Sequence, residues 1–438
     1  MDPQIITTTV GIVGGGPAGL MLSHLLAREG VDNVVLDTRS HDTIATTQRA
    51  GILEAGSVRM LTETGAISRI PTEGYEHSGI YLRFNGVNHH LDFKKLVGQT
   101  VWLYPQNDAF VDLAATRARD GGDVRFGVSD TLIQGIETDR PTIDFTDADG
   151  VHRRISCRIV VGADGSRSKC RDLVPGRVKH TMRYPFAWFG ILARTPFQAD
   201  ELIYCHGETG FALISQRTPE IQRLYFQCDP ATVADDWTDE QIWDRFDEIL
   251  AGPDGFRLQR GEIIEKTVLQ FRSFVQEPMQ HANLFLAGDA AHTVPPTGAK
   301  GLNLAFADVA LLAPALVRWA HTGDRSELDT YGDRAAKRIW KSQNFSYWMT
   351  QMLHTHTDAN SFTERRQLGE LMSVTSSTDS MKYLAECYTG WPYDLLTPEE
   401  SGAPTGEATS AVPTSGEAEV AGRSEAVAAP TAVAEAVR

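Results

Sequence analysis

Two hydrophobic periodicities divide the chain. Near its start, residues 5–13 form a run rich in β-branched side chains, which predicts a buried strand. It breaks at Gly14-Gly15-Gly16-Pro17-Ala18-Gly19. From there Leu22, Leu25 and Leu26 recur at helical steps until Gly30. A second apolar run, 33–36, delivers Asp37, and a third, 158–165, again ends on an acid and a glycine, Asp164 and Gly165. The pattern returns late. Residues 284–287 predict a short strand, Gly288 a sharp turn, and Asp289 a carboxylate at the strand's C-terminal edge, where open α/β sheets bind ligands. Pro295 and Pro296 then fix φ, Gly298 is free to take positive φ, and Leu302, Phe306, Val309 and Leu312 predict a helix from Gly301.

Between 184 and about 272 the texture changes to strand-like runs, 188–192, 211–217 and 224–228, joined by short turns. Helical spacing resumes over 327–354, where Trp340, Phe345, Tyr347 and Trp348 give an aromatic face suited to core or subunit contact. From Ser401 to Arg438 there is no aromatic, Leu, Ile or Met residue, so this stretch buries too little apolar area to offset ordering entropy. The expected fold class is α/β. A Rossmann-like dinucleotide-binding domain occupies 1–180 and 276–350, with an inserted, mostly antiparallel sheet at 181–275. A C-terminal helical region (351–399) and a disordered tail (400–438) follow.

The first turn carries chemistry. Gly14, Gly16 and Gly19 have the spacing G-x-G-x-x-G, in which the first allows a tight turn, the second admits a pyrophosphate and the third packs helix on sheet. Asp37 lies 23 residues after Gly14, where an acid for a ribose is expected. The motif does not choose between FAD and NAD. The basic stretch 166–171 at the end of the third run suits phosphates or a solvated helix start equally. Taken singly, Arg49 reads as a solvated arginine before a loop running into a helix, and His77 as a locally bonded histidine. Gln106 is anonymous on composition, and Tyr388 reads as ordinary packing.

One hairpin is more informative. Residues 211–216 lead to Arg217, a Thr218-Pro219-Glu220 turn, and a return strand at 223–227. With Arg217 paired to Arg223, Ser215 faces Tyr225 and all four side chains share one face. Arginines directly opposite repel by some tenths of a kcal/mol, which favours an anion between them, and the hydroxyls add donors. The plainer alternative is a wet face with carboxylates elsewhere. The sharper reading is a pocket for an organic acid.

Composition narrows the partners. The formal charge of −16 opposes general nucleic-acid or anionic-membrane binding. No apolar run approaches membrane-spanning length, and the N-terminus lacks a secretion signal. Five cysteines with no C-x-x-C pair make a disulfide framework or a structural metal site unexpected, and the reduced cytoplasm is the simplest location.

Three strand-end signals now coincide: GxGxxG early, GADG at 162–165 and GDAAH at 288–292, followed by VPPTGAKGLN. With RAGILE, ELIY, FALISQR, RSFVQEPMQH and ECYTGWPY, they make the chain similar to the group A flavoprotein aromatic hydroxylases from about residue 8 to 396. The late motif and the Ser-Gln-Arg hairpin are the specific parts. This resemblance implies FAD as the dinucleotide, NADPH or NADH as reductant, O2 as co-substrate and a homodimer. It implies hydroxylation of 4-hydroxybenzoate to 3,4-dihydroxybenzoate through a flavin C4a-hydroperoxide. Gly14, Gly16, Gly19 and Asp37 would hold the ADP half of FAD, with Arg49, Gln106, Asp164, Asp289, Gly298, Leu302 and Asn303 along the rest. Ser215, Arg217 and Tyr225 would bind the substrate carboxylate, and Tyr204 the phenol. Tyr388 would stand beside Tyr204, with His77 at the solvent end of a proton relay. The Pro296 carbonyl would face the substrate hydroxyl, and Arg223 would influence the flavin's position.

A phenolate is a far better nucleophile than a phenol, so a Tyr–Tyr–His chain that drains the proton suits this chemistry. The chain departs from well-known NADPH-using members in two places. Thr38 follows Asp37 where they carry an arginine, leaving Arg39 one place late, and Arg167 replaces a histidine implicated in nicotinamide-nucleotide binding, while Arg171 is retained, so the resemblance makes Arg39, Arg167 and Arg171 the candidate contacts for that nucleotide. NADH, NADPH or both therefore remain open. The rivals are a hydroxylase of another hydroxybenzoate, a flavin-binding redox sensor and a simple NAD dehydrogenase.

Overall fold

A computed structural model describes residues 3–47, 51–356 and 360–393; Arg49 and the 400–438 tail lie outside them. Its first sheet has six strands in the order Gln280–His281, Leu284–Leu286, Ile159–Gly162, Val10–Val13, Asn33–Asp37 and Asp123–Phe126. All pairings are parallel except the short edge strand. The inner strands are continuous apolar runs because helices cover them: Val10, Ile12, Ile159 and Val161 are fully buried. Their C-terminal ends carry Gly14, Ala163 and Ala287 side by side, which is how three distant strand-end motifs reach one edge.

The expected single strand over 5–13 is two. Gln4–Thr7, largely exposed, pairs with His152–Ser156 in a separate four-stranded sheet, and only Val10–Val13 enters the buried one. The expected loop-to-helix passage near 49–53 also differs. Ile52–Glu54 forms a strand against Val101–Leu103 before the helix Ala55–Glu63 begins.

A seven-stranded sheet runs in the order Glu262–Leu269, Ala187–Arg194, Ile221–Cys228, Gly210–Thr218, Ile203–Gly207, Gly79–Phe84 and Val87–Asp92. It is antiparallel except between Ile203–Gly207 and Gly79–Phe84. The segment 181–275 thus supplies five strands, and 79–92, assigned from sequence to the dinucleotide domain, supplies the last two. Those two strands are apolar enough on one face, at Ile80, Leu82 and Leu91, to extend the same core. The helix Asp239–Leu250, opened by a Thr238/Gln241 capping box, covers one face with Ile242, Trp243 and Phe246. The opposite face looks into the cavity described below.

The helix Gly301–Thr322 is long and apolar enough to cross a membrane by length and composition, which corrects the expectation that no run reaches that size. Most of it is buried, and it packs against the helices Pro17–Arg28 and Tyr331–Leu353. Its apolarity on most sides is that of a core helix. Among the aromatic residues of Tyr331–Leu353 the expected stripe splits: Phe345 is fully buried, Trp348 is half-buried, and Trp340 and Tyr347 are exposed.

Candidate functional site

A cavity of about 570 Å³ runs from the turn at Gly16 to the inner face of the seven-stranded sheet. At its first end the glycines have distinct jobs. Gly14 has φ +116, and a Cβ there would lie 2.1 Å from the Ala163 carbonyl oxygen. A Cβ on Gly19 would lie 1.9 Å from the Gly14 carbonyl oxygen, so this glycine lets the helix close on the turn. Gly16 has nothing within 4 Å of such a Cβ and lines the cavity. It is also the N-cap of the helix Pro17–Arg28 and no side chain caps that helix, so its first N–H groups are left for a ligand. A bare backbone cradle at a helix N-terminus, continuous with a long cavity, fits the pyrophosphate of a dinucleotide.

Asp37 does not line this cavity. It is 5% exposed and accepts the Gly15 N–H at 2.9 Å, while the Arg39 guanidinium grips both its oxygens at 3.1 and 2.9 Å. It braces the glycine turn, and Arg39 is the cavity residue. Asp164 is turned likewise: Oδ2 accepts the N–H groups of Lys169 and Cys170, so Ala163 and Gly165 form the wall instead. Gln106, first residue of the helix Gln106–Arg119, and Asp289 both line the cavity. Arg171 is buried against Phe274 and donates to the Gly165 carbonyl at 2.9 Å, whereas Arg167 is exposed on the surface.

The proline loop corrects another expectation. Positive φ falls on Ala299 (φ 53), and Gly298 is needed because a Cβ there would meet Ser346 Oγ at 2.6 Å. The Pro296 carbonyl accepts the Ala299 N–H at 2.9 Å, which leaves it one lone pair. Leu302 lines the cavity, but Asn303 is a clamp. Its side chain accepts from Glu54 N and Ser57 Oγ and donates to the Ile52 and Ala299 carbonyls.

The hairpin register differs from the expected one by two residues. Ser215 pairs with Arg223 and Leu213 with Tyr225, and Arg217 falls in a bulge between Gln216 and Thr218. An even shift keeps Ser215, Arg223 and Tyr225 on one face, and the bulge spares the arginines from standing directly opposite. Arg217 reaches across to Asn107, donating to Oδ1 at 3.1 Å. Burial and the nearby Arg223 lower its pKa, with Asp108 opposing. Arg223 has a buried Nη1 with no hydrogen-bond partner. Each of these four residues lines the cavity. Tyr225 lies over Gly190, where a Cβ would come within 2.7 Å of its ring.

Tyr204, fully buried on the same sheet, shares a hydrogen bond of 2.7 Å with Tyr388. Burial raises both phenols, so the pair is neutral. His77 is 2% exposed rather than open to solvent, its Nδ1 has no hydrogen-bond partner, and burial pulls its pKa down to about 4. A folded-state pKa below the ordinary 6.5 means the neutral ring favours folding. That contribution is complete above pH 6.5 and is lost as pH falls toward 4. His77→Gln is therefore expected to flatten the fall in melting temperature over this window, and a slope identical to wild type contradicts a buried neutral imidazole.

Trp188, Leu213, Glu265, Asn107 and Lys300 also line the cavity, although nothing in the sequence marks them as site residues. Lys300 is fully buried, donates to Glu54 Oε1 at 2.6 Å and to the Tyr388 carbonyl at 2.8 Å, and is lowered by burial with Glu54 opposing.

The family described as FAD binding domain matches residues 7–346. The p-hydroxybenzoate hydroxylase of Acinetobacter baylyi is 39% identical over 395 residues, covering 90% of this chain and 97% of that protein. The 3-(3-hydroxy-phenyl)propionate/3-hydroxycinnamic acid hydroxylase 1 of Burkholderia vietnamiensis is 27% identical over 344 residues, covering 75% of this chain and 53% of that one. Among solved structures, the p-nitrophenol 4-monooxygenase of Pseudomonas putida shares the fold, with a TM-score of 0.75 at 18% identity over 88% of this chain and 99% of that one.

Proposed function

Because the chain belongs to the FAD-dependent aromatic hydroxylases, we propose that it converts 4-hydroxybenzoate to 3,4-dihydroxybenzoate with O2 and a nicotinamide nucleotide. The observation that carries this reading is one cavity that Ser215, Arg217, Arg223 and Tyr225 line together with Tyr204, which is hydrogen-bonded to the buried Tyr388. The first group suits a carboxylate and the second a phenol. The chemistry supplied by bound FAD is acceptance of electrons from the nicotinamide nucleotide and activation of O2.

This chain's residues do the rest. Gly16, the helix N-terminus behind it, Arg39, Gln106 and Asp289 hold the cofactor. Arg217 forks onto the substrate carboxylate with the Ser215 and Tyr225 hydroxyls beside it, which fixes the ring position presented for attack. Tyr204 accepts a hydrogen bond from the substrate phenol and passes the proton toward Tyr388, while the free lone pair of Pro296 O faces the same hydroxyl. The apolar walls at Trp188, Leu202 and Leu213 exclude water, which keeps activated oxygen from being wasted as H2O2.

Tyr204→Phe is expected to slow hydroxylation by roughly 100-fold while substrate-triggered flavin reduction survives. Stopped-flow absorbance separates the two, and unchanged turnover rules out the relay. Gly190→Ala pushes the Tyr225 ring aside and is expected to weaken substrate binding about tenfold in a folded protein. A titration with no change removes Tyr225 from the clamp. The substrate assignment itself is tested by titrating FAD-loaded protein with 4-hydroxybenzoate and with 4-hydroxybenzamide, which keeps the phenol and lacks the charge. Tight binding of the acid alone supports the assignment; equal binding contradicts it, and preference for another hydroxybenzoate moves the assignment within the family.

Either NADH or NADPH serves as reductant in this reading. Arg39 is already paired with Asp37 and Arg171 is buried, so the exposed Arg167 is the freest of the three candidate contacts. We propose a homodimer, supported by the exposed Trp340 and Tyr347 (42% and 44%) on the helix Tyr331–Leu353, and a cytoplasmic location, supported by five free cysteines.

A further inference from the structure

Trp188 forms part of the cavity wall, packed between Phe211 at 5.2 Å and Tyr225 at 5.0 Å. Its indole nitrogen is 2.6 Å from His354 Nε2. An indole N–H only donates, so His354 Nε2 must be the acceptor and its proton sits on Nδ1. Nδ1 is 2.9 Å from the Thr350 carbonyl, which only accepts, so both contacts demand the same neutral tautomer. The ring is fully buried, stacked on Phe186 at 4.4 Å and Phe211 at 4.2 Å. Burial pulls its pKa down to about 3, as expected where a second ring proton would point at a donor.

The connection continues. Thr350 Oγ1 lies 2.9 Å from Thr297 Oγ1, in the turn that carries Pro296. The His354 carbonyl accepts from Gln367 Nε2 at 2.8 Å, which ties the segment to the next helix. A chain of buried hydrogen bonds therefore runs from the sheet side of the cavity, through the end of the helix Tyr331–Leu353, to the proline loop on the other side.

We propose that His354 is a positioning residue, whose Nε2 holds the Trp188 indole as a fixed cavity wall and whose Thr350 contact links that wall to the proline loop. The inference rests on the hydroxylase reading and adds to it a group that touches no substrate. A wall held in place sets the width of the aromatic slot and keeps water out.

His354→Phe keeps the ring stack and removes the acceptor, leaving the indole N–H orphaned. In FAD-loaded protein the expected result is a KM for 4-hydroxybenzoate raised about tenfold, with a larger share of reducing equivalents lost to H2O2. His354→Gln, whose Oε1 can replace Nε2 as acceptor, is expected to recover most of both. The Trp188 indole N–H resonance, assigned by its absence in Trp188→Phe, is expected to shift in His354→Phe and to return toward wild type in His354→Gln. In the Trp188→Phe background His354→Phe is expected to add little. Wild-type KM and coupling in a folded His354→Phe, an unmoved indole resonance, or additive losses in the double variant each overturn the proposal. A wild-type protein inert toward every hydroxybenzoate overturns the hydroxylase reading instead, and the indole resonance still decides whether His354 holds the wall.

Discussion

Arg217→Ala is expected to weaken 4-hydroxybenzoate binding by roughly 100-fold, about 2.7 kcal/mol, while 4-hydroxybenzamide is weakened far less. The reason is positional. Arg217 occupies the bulge of its hairpin, so its guanidinium leans over the cavity toward Asn107 instead of lying along the strand. Burial and the neighbouring Arg223 lower its pKa, with Asp108 and Glu265 opposing, and Arg223 keeps a buried Nη1 without a hydrogen-bond partner. Arg217→Lys preserves the charge but not the planar fork, and an intermediate loss is expected. Flavin fluorescence titration of the loaded protein measures all three. Equal weakening for the acid and the amide means that the residue supports the fold of the hairpin and not the ligand.

The second large effect separates folding from cofactor binding within one turn. In Gly14→Ala the new Cβ meets the Ala163 backbone oxygen at 2.1 Å at a φ of +116, and neither atom has a flexible side chain to yield. Loss of both FAD and thermal stability is expected. In Gly16→Ala the backbone is ordinary (φ −74) and the protein places nothing within 4 Å of the Cβ. This variant is expected to fold with the melting temperature of the apoprotein yet bind FAD at least roughly tenfold more weakly, because the methyl takes the space of the pyrophosphate. Flavin content after gel filtration and melting curves of both apoproteins give the comparison. Full flavin content in Gly16→Ala places the pyrophosphate elsewhere.

The parts of the fold legible in the sequence are those set by short-range periodicity. Apolar runs closing on Gly14, Asp164 and Gly288 mark three buried strands, and parallel pairing of those strands follows from their being apolar on both faces. The shared face of Ser215, Arg223 and Tyr225 is legible too, because alternation survives any even change of register. The register itself is not, since the Arg217 bulge depends on how tightly the turn closes. Gly298 illustrates a different limit. A glycine after two prolines suggests positive φ, but its constraint is contact with Ser346, 48 residues away in sequence, and Ala299 takes the left-handed conformation. Asp37, Asp164 and Asn303 sit at motif positions yet turn their side chains into the framework, a direction set by neighbours that the motif does not contain. Trp188, Lys300 and His354 carry no local signal, because their environment is assembled from segments more than a hundred residues apart.

The most direct test is the oxidation of NADH and of NADPH by FAD-loaded protein with and without 4-hydroxybenzoate, with O2 uptake and aromatic product followed together. Strong stimulation by the acid is expected, with one 3,4-dihydroxybenzoate formed per nicotinamide nucleotide oxidised and the preferred nucleotide read from the same traces. Stimulation that yields mainly H2O2 identifies a ligand that triggers reduction without being the substrate. No stimulation with either nucleotide contradicts the assignment of 4-hydroxybenzoate.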